Sequence, residues 1–303
     1  MAVPQRFPEW IRRKWATGED FEFTKGLVKD LSLHSVCQSA NCPNIGECWE
    51  RRTATLMVLG NVCTRNCRYC SVPSGRPETI DTQEPMHVAE AVLKMGLKHV
   101  VITSVTRDDL PDGGAGHIAA TICAIKELNR GTTVEILVPD FLGDISAIDT
   151  VLDAWPEVFS HNIETVERLY PSVRGRQFPY RDALKVLTRA AAHPSGAIIK
   201  SAFMVGHGET PEDVHATLQD LVDAGCETVS IGQYLRPTGK QRPVSDYVHP
   251  DQLAAYEREA YELGFKFAVA GPFVRSSYRS EAVLEQEFAR EKLRAARRRI
   301  EVE

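Results

Sequence analysis

The chain has 303 residues, 43% of them hydrophobic, and a formal net charge of −5. That length suits a single α/β barrel-type domain with a sizeable core. The weak acidic balance offers no electrostatic case for nucleic acid, and no apolar run approaches the roughly 18 residues of a membrane span. The first residues lack the apolar centre of a secretory signal, so a soluble, cytoplasmic protein with no membrane partner is expected.

Residues 1–36 predict an extension of short helical pieces. Trp10, Ile11, Trp15, Leu27, Val28 and Leu31 would lay an apolar stripe on the main body, because leaving them wet is unfavourable. From Arg52 onward strand and helix patterns alternate. Runs rich in Val, Ile and Leu predict strands at 56–60, 99–105, 133–139, 158–163, 197–205, 228–235 and 267–270. Amphipathic segments predict helices at 82–97, 116–129, 144–155, 181–192, 210–224 and 249–263. The fifth opens Thr210-Pro-Glu-Asp, an N-cap followed by proline and two acids. Regular βα alternation implies a parallel sheet with right-handed crossovers. Six units make an α/β fold, a partial (βα)6 TIM-type barrel rather than a full eight. Residues 281–303 are charged throughout and predict a solvated helix. The expected organisation is an extension over 1–50, a barrel over 51–272 and a second extension over 273–303.

Six of the eight cysteines fall between Cys37 and Cys70. Clustering of that kind in a chain with no sign of secretion points to metal rather than disulfides. Cys123 and Cys226 lie in helical patterns and read as small buried hydrophobes. Cys63, Cys67 and Cys70 have the spacing Cys-x3-Cys-x2-Cys. Three thiolates on one tight loop can each hold one iron of a cubane cluster. The fourth iron is then open to a ligand, as in catalytic zinc sites, with the flat face of Tyr69 beside it. Zinc sites usually present two Cys-x2-Cys pairs instead. Upstream, Cys37, Cys42 and Cys48 are spaced Cys-x4-Cys-x5-Cys, with Pro43 and Gly46 suited to a wrapped loop. Again there are three thiolates and no fourth; a second cubane cluster is the natural reading, and a structural zinc completed by one distant His is the alternative.

In such barrels the chemistry sits at the C-terminal ends of strands. The loop cysteines resemble the signature of the radical SAM superfamily. By that resemblance the open iron takes S-adenosylmethionine, and one electron releases a 5′-deoxyadenosyl radical. Candidate cofactor contacts at the strand ends are Thr103, the glycines Gly113 and Gly114, Asn162, Glu164, Arg174, Gln233 and Arg236, with Tyr69 from the cysteine loop. Asp140 ends another strand facing the same way. His207 sits in a Gly-His-Gly turn that nothing in the pattern specifies.

Beyond the superfamily, nearly the whole chain resembles the lipoyl synthase family, from Pro8-Glu9-Trp10 to Tyr278. The shared pieces are the two cysteine loops, the first with Pro-Asn-x-Gly-Glu-Cys-Trp; Thr103-Ser-Val-Thr-Arg-Asp-Asp-Leu110 with its Gly-Gly; His161-Asn-Ile-Glu-Thr165; Gly232-Gln-Tyr-Leu-Arg-Pro-Thr238; and Arg275-Ser-Ser-Tyr278. Ala202-Phe203 and His207 are local oddities. The resemblance implies two [4Fe-4S] clusters. Cys63, Cys67 and Cys70 would hold the one that binds and cleaves S-adenosylmethionine. Cys37, Cys42 and Cys48 would hold an auxiliary cluster, with Ser277, favoured over Ser276, as fourth ligand. It further implies insertion of two sulfurs at C6 and C8 of a protein-bound octanoyl-lysine, the auxiliary cluster being the consumed sulfur source. The partners implied are an octanoylated lipoyl carrier domain or H protein, an electron donor such as ferredoxin or flavodoxin, and an iron–sulfur carrier for cluster repair. The residues alone also admit another radical SAM sulfur-inserting enzyme or a non-catalytic zinc protein.

Overall fold

A computed structural model describes residues 7–12, 18–176 and 178–300, the last four of these by their backbone alone. Helix α1 (Glu19–Asp30) leads into a two-residue strand β1 (His34–Ser35), then short helices α2 (Val36–Ser39) and α3 (Ile45–Glu50). Strand β2 (Leu56–Val58) opens a run of seven parallel strands, with β3 (His99–Ser104), β4 (Thr133–Leu137), β5 (Val158–Ser160), β6 (Ile198–Val205), β7 (Thr228–Gln233) and β8 (Phe267–Gly271). The strands neighbour one another in sequence order, so β1 and β8 form the two edges of an open barrel. β1 is antiparallel to β2, with His34 opposite Met57.

Each parallel connection carries a helix, as right-handed crossovers require. These are α4 (Glu84–Met95), α5 (Ala115–Leu128), α6 (Ile145–Leu152), α7 (Tyr170–Val173) with α8 (Tyr180–Ala192), α9 (Pro211–Asp223) and α10 (Pro250–Leu263). The predicted Thr210 cap is present as a reciprocal capping box with Asp213. The central strands are buried on both faces, which is why they read as continuous apolar runs rather than alternating ones.

The N-terminal stripe packs as expected where it is described. Ile11, Leu27 and Val28 are buried, Leu31 packs against the core, and the half-buried Trp10 meets His249 edge-on at 4.9 Å; Trp15 lies outside the described residues. Phe21, Leu27, Val28 and Trp49 belong to the same continuous core as the barrel. Beyond β8 the chain forms α11 (Glu281–Leu284) and α12 (Glu287–Ile300). These are less solvated than their charge predicts. Val283 and Ala289 pack with Val158 and Ile198 at the N-terminal ends of β5 and β6, and Leu284 and Phe288 join them. A few apolar side chains hidden among charges suffice to dock the segment. Cys226 is buried as expected, but Cys123 is exposed: it lies on the outward side of α5, whose buried residues are Ala115, Ile118, Thr121, Ile122 and Ile125.

Candidate active site

The Cys63–Cys70 loop lies across the C-terminal mouth of the parallel sheet, tied down by backbone bonds. Cys63 N–H donates to Pro73 O at 2.8 Å, and Thr64 N–H to Thr106 O at 3.0 Å beyond β3. Arg68 N–H donates to Val173 O at 2.9 Å, and its own carbonyl accepts from Arg242 N–H at 2.8 Å. Gln241 Nε2 reaches Cys70 O at 3.1 Å. Segments following β3, β5 and β7 therefore fix the loop's shape.

Arg65, inside the loop, is the electrostatic pin that spacing alone does not reveal. It is buried, with Nε and Nη2 each 2.8 Å from an Asp108 carboxylate oxygen. It also clasps Asp140 with two bonds, Nη2 to Oδ1 at 2.7 Å and Nη1 to Oδ2. Arg174 Nη2 approaches Asp140 Oδ2 at 3.3 Å. Burial alone would raise the Asp140 pKa, but hydrogen bonds and charge from Arg65, with help from Arg174, hold it below the usual range. The planar fork of arginine suits this bidentate pairing.

Around the loop a polar cluster forms. The Cys67 thiol is pushed up by burial, and feels Arg174, Glu164, Cys63 and Arg65. Burial pushes Cys70 up to about 12. Both are thiols at neutral pH without a metal, and a bound metal would displace their protons. Glu164 sits at φ 68°. Its carboxyl is pushed up by burial, against Arg174 and polar contacts from Asn162 and Tyr69. His161 is pushed down to about 4, chiefly by burial and then by Arg174. Its Nδ1 lies 3.0 Å from the Val138 carbonyl, which assigns the proton to Nδ1 and leaves Nε2 a bare acceptor.

Four buried polar atoms of this cluster have no hydrogen-bond partner: Asn162 Oδ1, Arg174 Nε, His161 Nε2 and Tyr170 OH. Each such orphan costs about 1–3 kcal/mol, and natural structures hold few of them. Their convergence beside three cysteines fits a polar ligand that brings both donors and acceptors. An amino-acid-bearing cofactor does so, its amine needing acceptors and its carboxylate an Arg N–H. Among the described residues no three His, Cys, Asp or Glu side chains converge on one metal ion. Cubane ligands are not held to that, since each thiolate takes its own iron.

The structure thus brings Cys63, Cys67, Cys70, Tyr69, Asn162, Glu164 and Arg174 together. The other predicted contacts have packing partners of their own. Thr103 donates across the sheet to Leu137 O at 3.1 Å. Gln233 is buried and clamps the following loop, donating to Asp246 O at 3.0 Å and accepting from Val248 N–H at 2.8 Å. Arg236 is exposed and braces its own loop through Gln241 O and Gly239 O. Gly113 and Gly114 both have positive φ, and a Cβ on either would collide with Phe141 or Leu59. Arg65, His161 and Tyr170 were not among the predicted contacts. Arg65 carried a signal, a cation within the cysteine loop facing acidic strand ends, and His161 opens one of the shared strand-end pieces; Tyr170 carried none.

The second cysteine loop sits where both chain extensions meet. Cys37 is buried at the start of α2, its N–H donating to the Ser35 hydroxyl at 3.1 Å. Cys42 precedes Asn44, the N-cap of α3, and Cys48 lies within that helix. The segment carrying Ser276 and Ser277 docks on that helix. Asn44 Nδ2 donates to Phe273 O at 2.7 Å, Tyr278 OH to Glu47 Oε1 at 2.8 Å, and Arg51 pairs with Glu281 at 2.8 Å. Residues more than 220 positions apart in sequence thus share one surface.

Residues 57–221 match the radical SAM superfamily. Lipoyl synthase of Caldanaerobacter subterraneus subsp. tengcongensis is 50% identical over 279 residues, 92% of this chain and 97% of the relative. That of Thermus thermophilus is 50% identical over 93% of this chain and 87% of its own length. The chain belongs to the lipoyl synthase family. Among solved structures, methylornithine synthase matches with a TM-score of 0.53 at 12% identity, over 95% of this chain and 93% of its own. Streptococcus suis SuiB bound to S-adenosylmethionine matches at 0.55 and 13% identity, over 82% and 60%. At such low identity these two likenesses speak to the open-barrel fold. Sequence family and fold agree with the expectation drawn from the cysteine loops.

Proposed function

We infer that the protein is a lipoyl synthase that inserts two sulfur atoms, at C6 and C8, into an octanoyl chain amide-linked to a carrier lysine. The docking of the Arg275-Ser-Ser-Tyr278 segment on α3, beside Cys48, carries the reading. It supports a second cluster site next to the first, within a family whose relatives bear this name.

Cys63, Cys67 and Cys70 would hold the cluster that takes S-adenosylmethionine; Cys37, Cys42, Cys48 and Ser277 would hold the auxiliary one. When bound, these groups supply a radical able to take hydrogen from an unactivated C–H bond and a source of sulfur. The chain's own residues bind, orient and shield. Acid–base groups alone cannot activate an alkyl C–H, which has no acidity to exploit. Arg65, fixed between Asp108 and Asp140, holds the cysteine loop against the strand ends. Asn162 Oδ1 and the Glu164 carboxylate can accept from the cofactor amine, and Arg174 Nε–H can donate to its carboxylate. Loop 236–248 lies against the cysteine loop at the mouth and segment 273–280 crosses the open side of the barrel, so together they limit water, which a carbon radical requires. A serine oxygen in place of a fourth thiolate is a weak ligand, suited to a cluster that must open.

The partners proposed are an octanoylated lipoyl carrier domain or H protein, a ferredoxin- or flavodoxin-like reductant, and an iron–sulfur carrier for repair. None of the described helices is long and apolar enough to cross a membrane.

The test is incubation of anaerobically loaded protein with S-adenosylmethionine, reductant and an octanoyl-lysine peptide. A mass gain matching two sulfurs, with deoxyadenosine release, is expected. Deoxyadenosine without a sulfurated peptide would refute this substrate. Two zincs and no sulfide per chain would refute the enzyme.

A further inference from the structure

Phe273 to Glu281 forms a strap from the end of β8 to α11, crossing the open side of the barrel. Both ends are anchored. Phe273 O accepts from Asn44 at 2.7 Å, and Ser280 Oγ lies 3.1 Å from His99 Nε2. Between those anchors a single carboxylate oxygen grips the strap. Glu47 Oε1 accepts from Tyr278 OH at 2.8 Å and from Arg279 Nη2 at 3.0 Å. Arg279 takes φ 51°, a left-handed conformation that side chains rarely adopt. Its guanidinium then lies 5.3 Å over the Tyr278 ring while it reaches Glu47. An unfavourable backbone turn persists only where surrounding contacts fix it. Here they converge on one residue of the Cys42–Cys48 turn.

We propose that Glu47 is a positioning residue: it sets the register of the strap so that Ser277 is presented to the cluster on Cys37, Cys42 and Cys48. The proposal rests on the assignment of Ser277 as a ligand. Glu47 immediately precedes Cys48, and its two partners immediately follow Ser277. The clamp therefore couples the two ends of one ligand set that sequence holds far apart. An oxygen ligand on a loose strap has a low effective concentration at the iron, and clamping the next two residues raises it.

Two measurements on the full chain test this. Hydrogen exchange of residues 273–279 in metal-free protein should quicken about tenfold in Glu47→Ala, with the barrel strands unchanged. Glu47→Gln, which keeps an acceptor for Tyr278 but drops the charge facing Arg279, should fall between. Unchanged exchange in Glu47→Ala overturns the clamp, whereas loss of protection throughout the barrel would mark a general folding role and equally overturn it. The second measurement uses a background with Cys63, Cys67 and Cys70 replaced by Ala, so that only the auxiliary cluster is loaded. Mössbauer spectra of Glu47→Ala should lose the distinct oxygen-ligated iron, as Ser277→Ala does, and Glu47→Gln should largely restore it. A distinct iron retained in Glu47→Ala refutes the clamp and leaves the cluster assignment standing. No iron at all in this background refutes the two-cluster reading, and the clamp with it.

Discussion

Lys200 on β6 and Glu135 on β4 face each other inside the barrel. The Lys200 ammonium lies 2.8 and 3.0 Å from the two carboxylate oxygens, and both side chains are almost fully buried. His99 Nε2 stands 3.7 Å from the same carboxylate, in ion-pair range but beyond a hydrogen bond. Burial alone would raise the Glu135 pKa, but Lys200 and His99 outweigh it and hold it below the ordinary value. The pair's stability is therefore present above the unfolded carboxylate value of about 4.3 and is lost as pH falls through the folded value. In Lys200→Met, burial is left in command and the carboxyl moves up. The variant should lose about 3–5 kcal/mol at neutral pH, and its deficit should narrow by ~1 kcal/mol between pH 7.5 and 5.5. Denaturant melts of both proteins across that range measure this. A deficit independent of pH would show that the Glu135 carboxyl has not moved up and stays ionised in the folded variant.

Gly232, near the end of β7, lies under the strap. A Cβ there would stand 2.2 Å from the Val274 carbonyl oxygen and 3.2 Å from Arg275 Nη1. Gly232→Ala should push the strap away at a cost of about 1–3 kcal/mol. Because the strap carries Ser277, sulfur insertion should fall further than S-adenosylmethionine cleavage. A melt combined with both product assays checks this, and equal losses of the two activities would contradict the arrangement.

The barrel was legible because its strands are buried on both faces and its helices are amphipathic, so seven strands and six crossover helices fall close to their predicted places. β1 escaped because two residues carry no periodicity. The docking of α11 and α12 escaped because Val283 and Ala289 are a minority among charges, and Cys123 faces outward because a single helical cysteine does not reveal its side. The cysteine loops were legible from spacing. Their surroundings were less so. Asn162, Glu164 and Arg174 join the cluster, whereas Thr103, Gln233 and Arg236 hold backbone in place. A polar residue at a strand end looks the same in sequence whether it faces a ligand or a neighbouring loop. What separates them is the state of their polar atoms: Asn162 Oδ1 and Arg174 Nε lack partners, while Gln233 has engaged both ends of its amide.

Arg174 follows from that distinction. Arg174→Lys keeps the charge near Asp140 but removes the planar N–H that has no partner. The Michaelis constant for S-adenosylmethionine should rise about tenfold, with a smaller change in maximal cleavage rate, as loss of uniform binding requires. Deoxyadenosine release against cofactor concentration gives both numbers. An unchanged Michaelis constant would remove Arg174 from the binding set.

Separate cysteine replacements test whether the two loops hold separate groups. Cys67→Ala should lower bound iron from about eight to about four per chain and abolish deoxyadenosine formation. Cys42→Ala should lower iron to the same level yet leave deoxyadenosine formation in place, with no sulfur reaching the peptide. The asymmetry matters more than either loss, because a general folding defect would reduce both activities together. Cys42 lies two residues before Asn44, which bonds the strap at Phe273 O, whereas Cys67 lies among Arg65, Glu164 and Arg174, so each change leaves the other neighbourhood's contacts in place. Abolition of deoxyadenosine formation by Cys42→Ala in protein that melts normally would mean that the two loops serve one cluster, and would refute the division of labour.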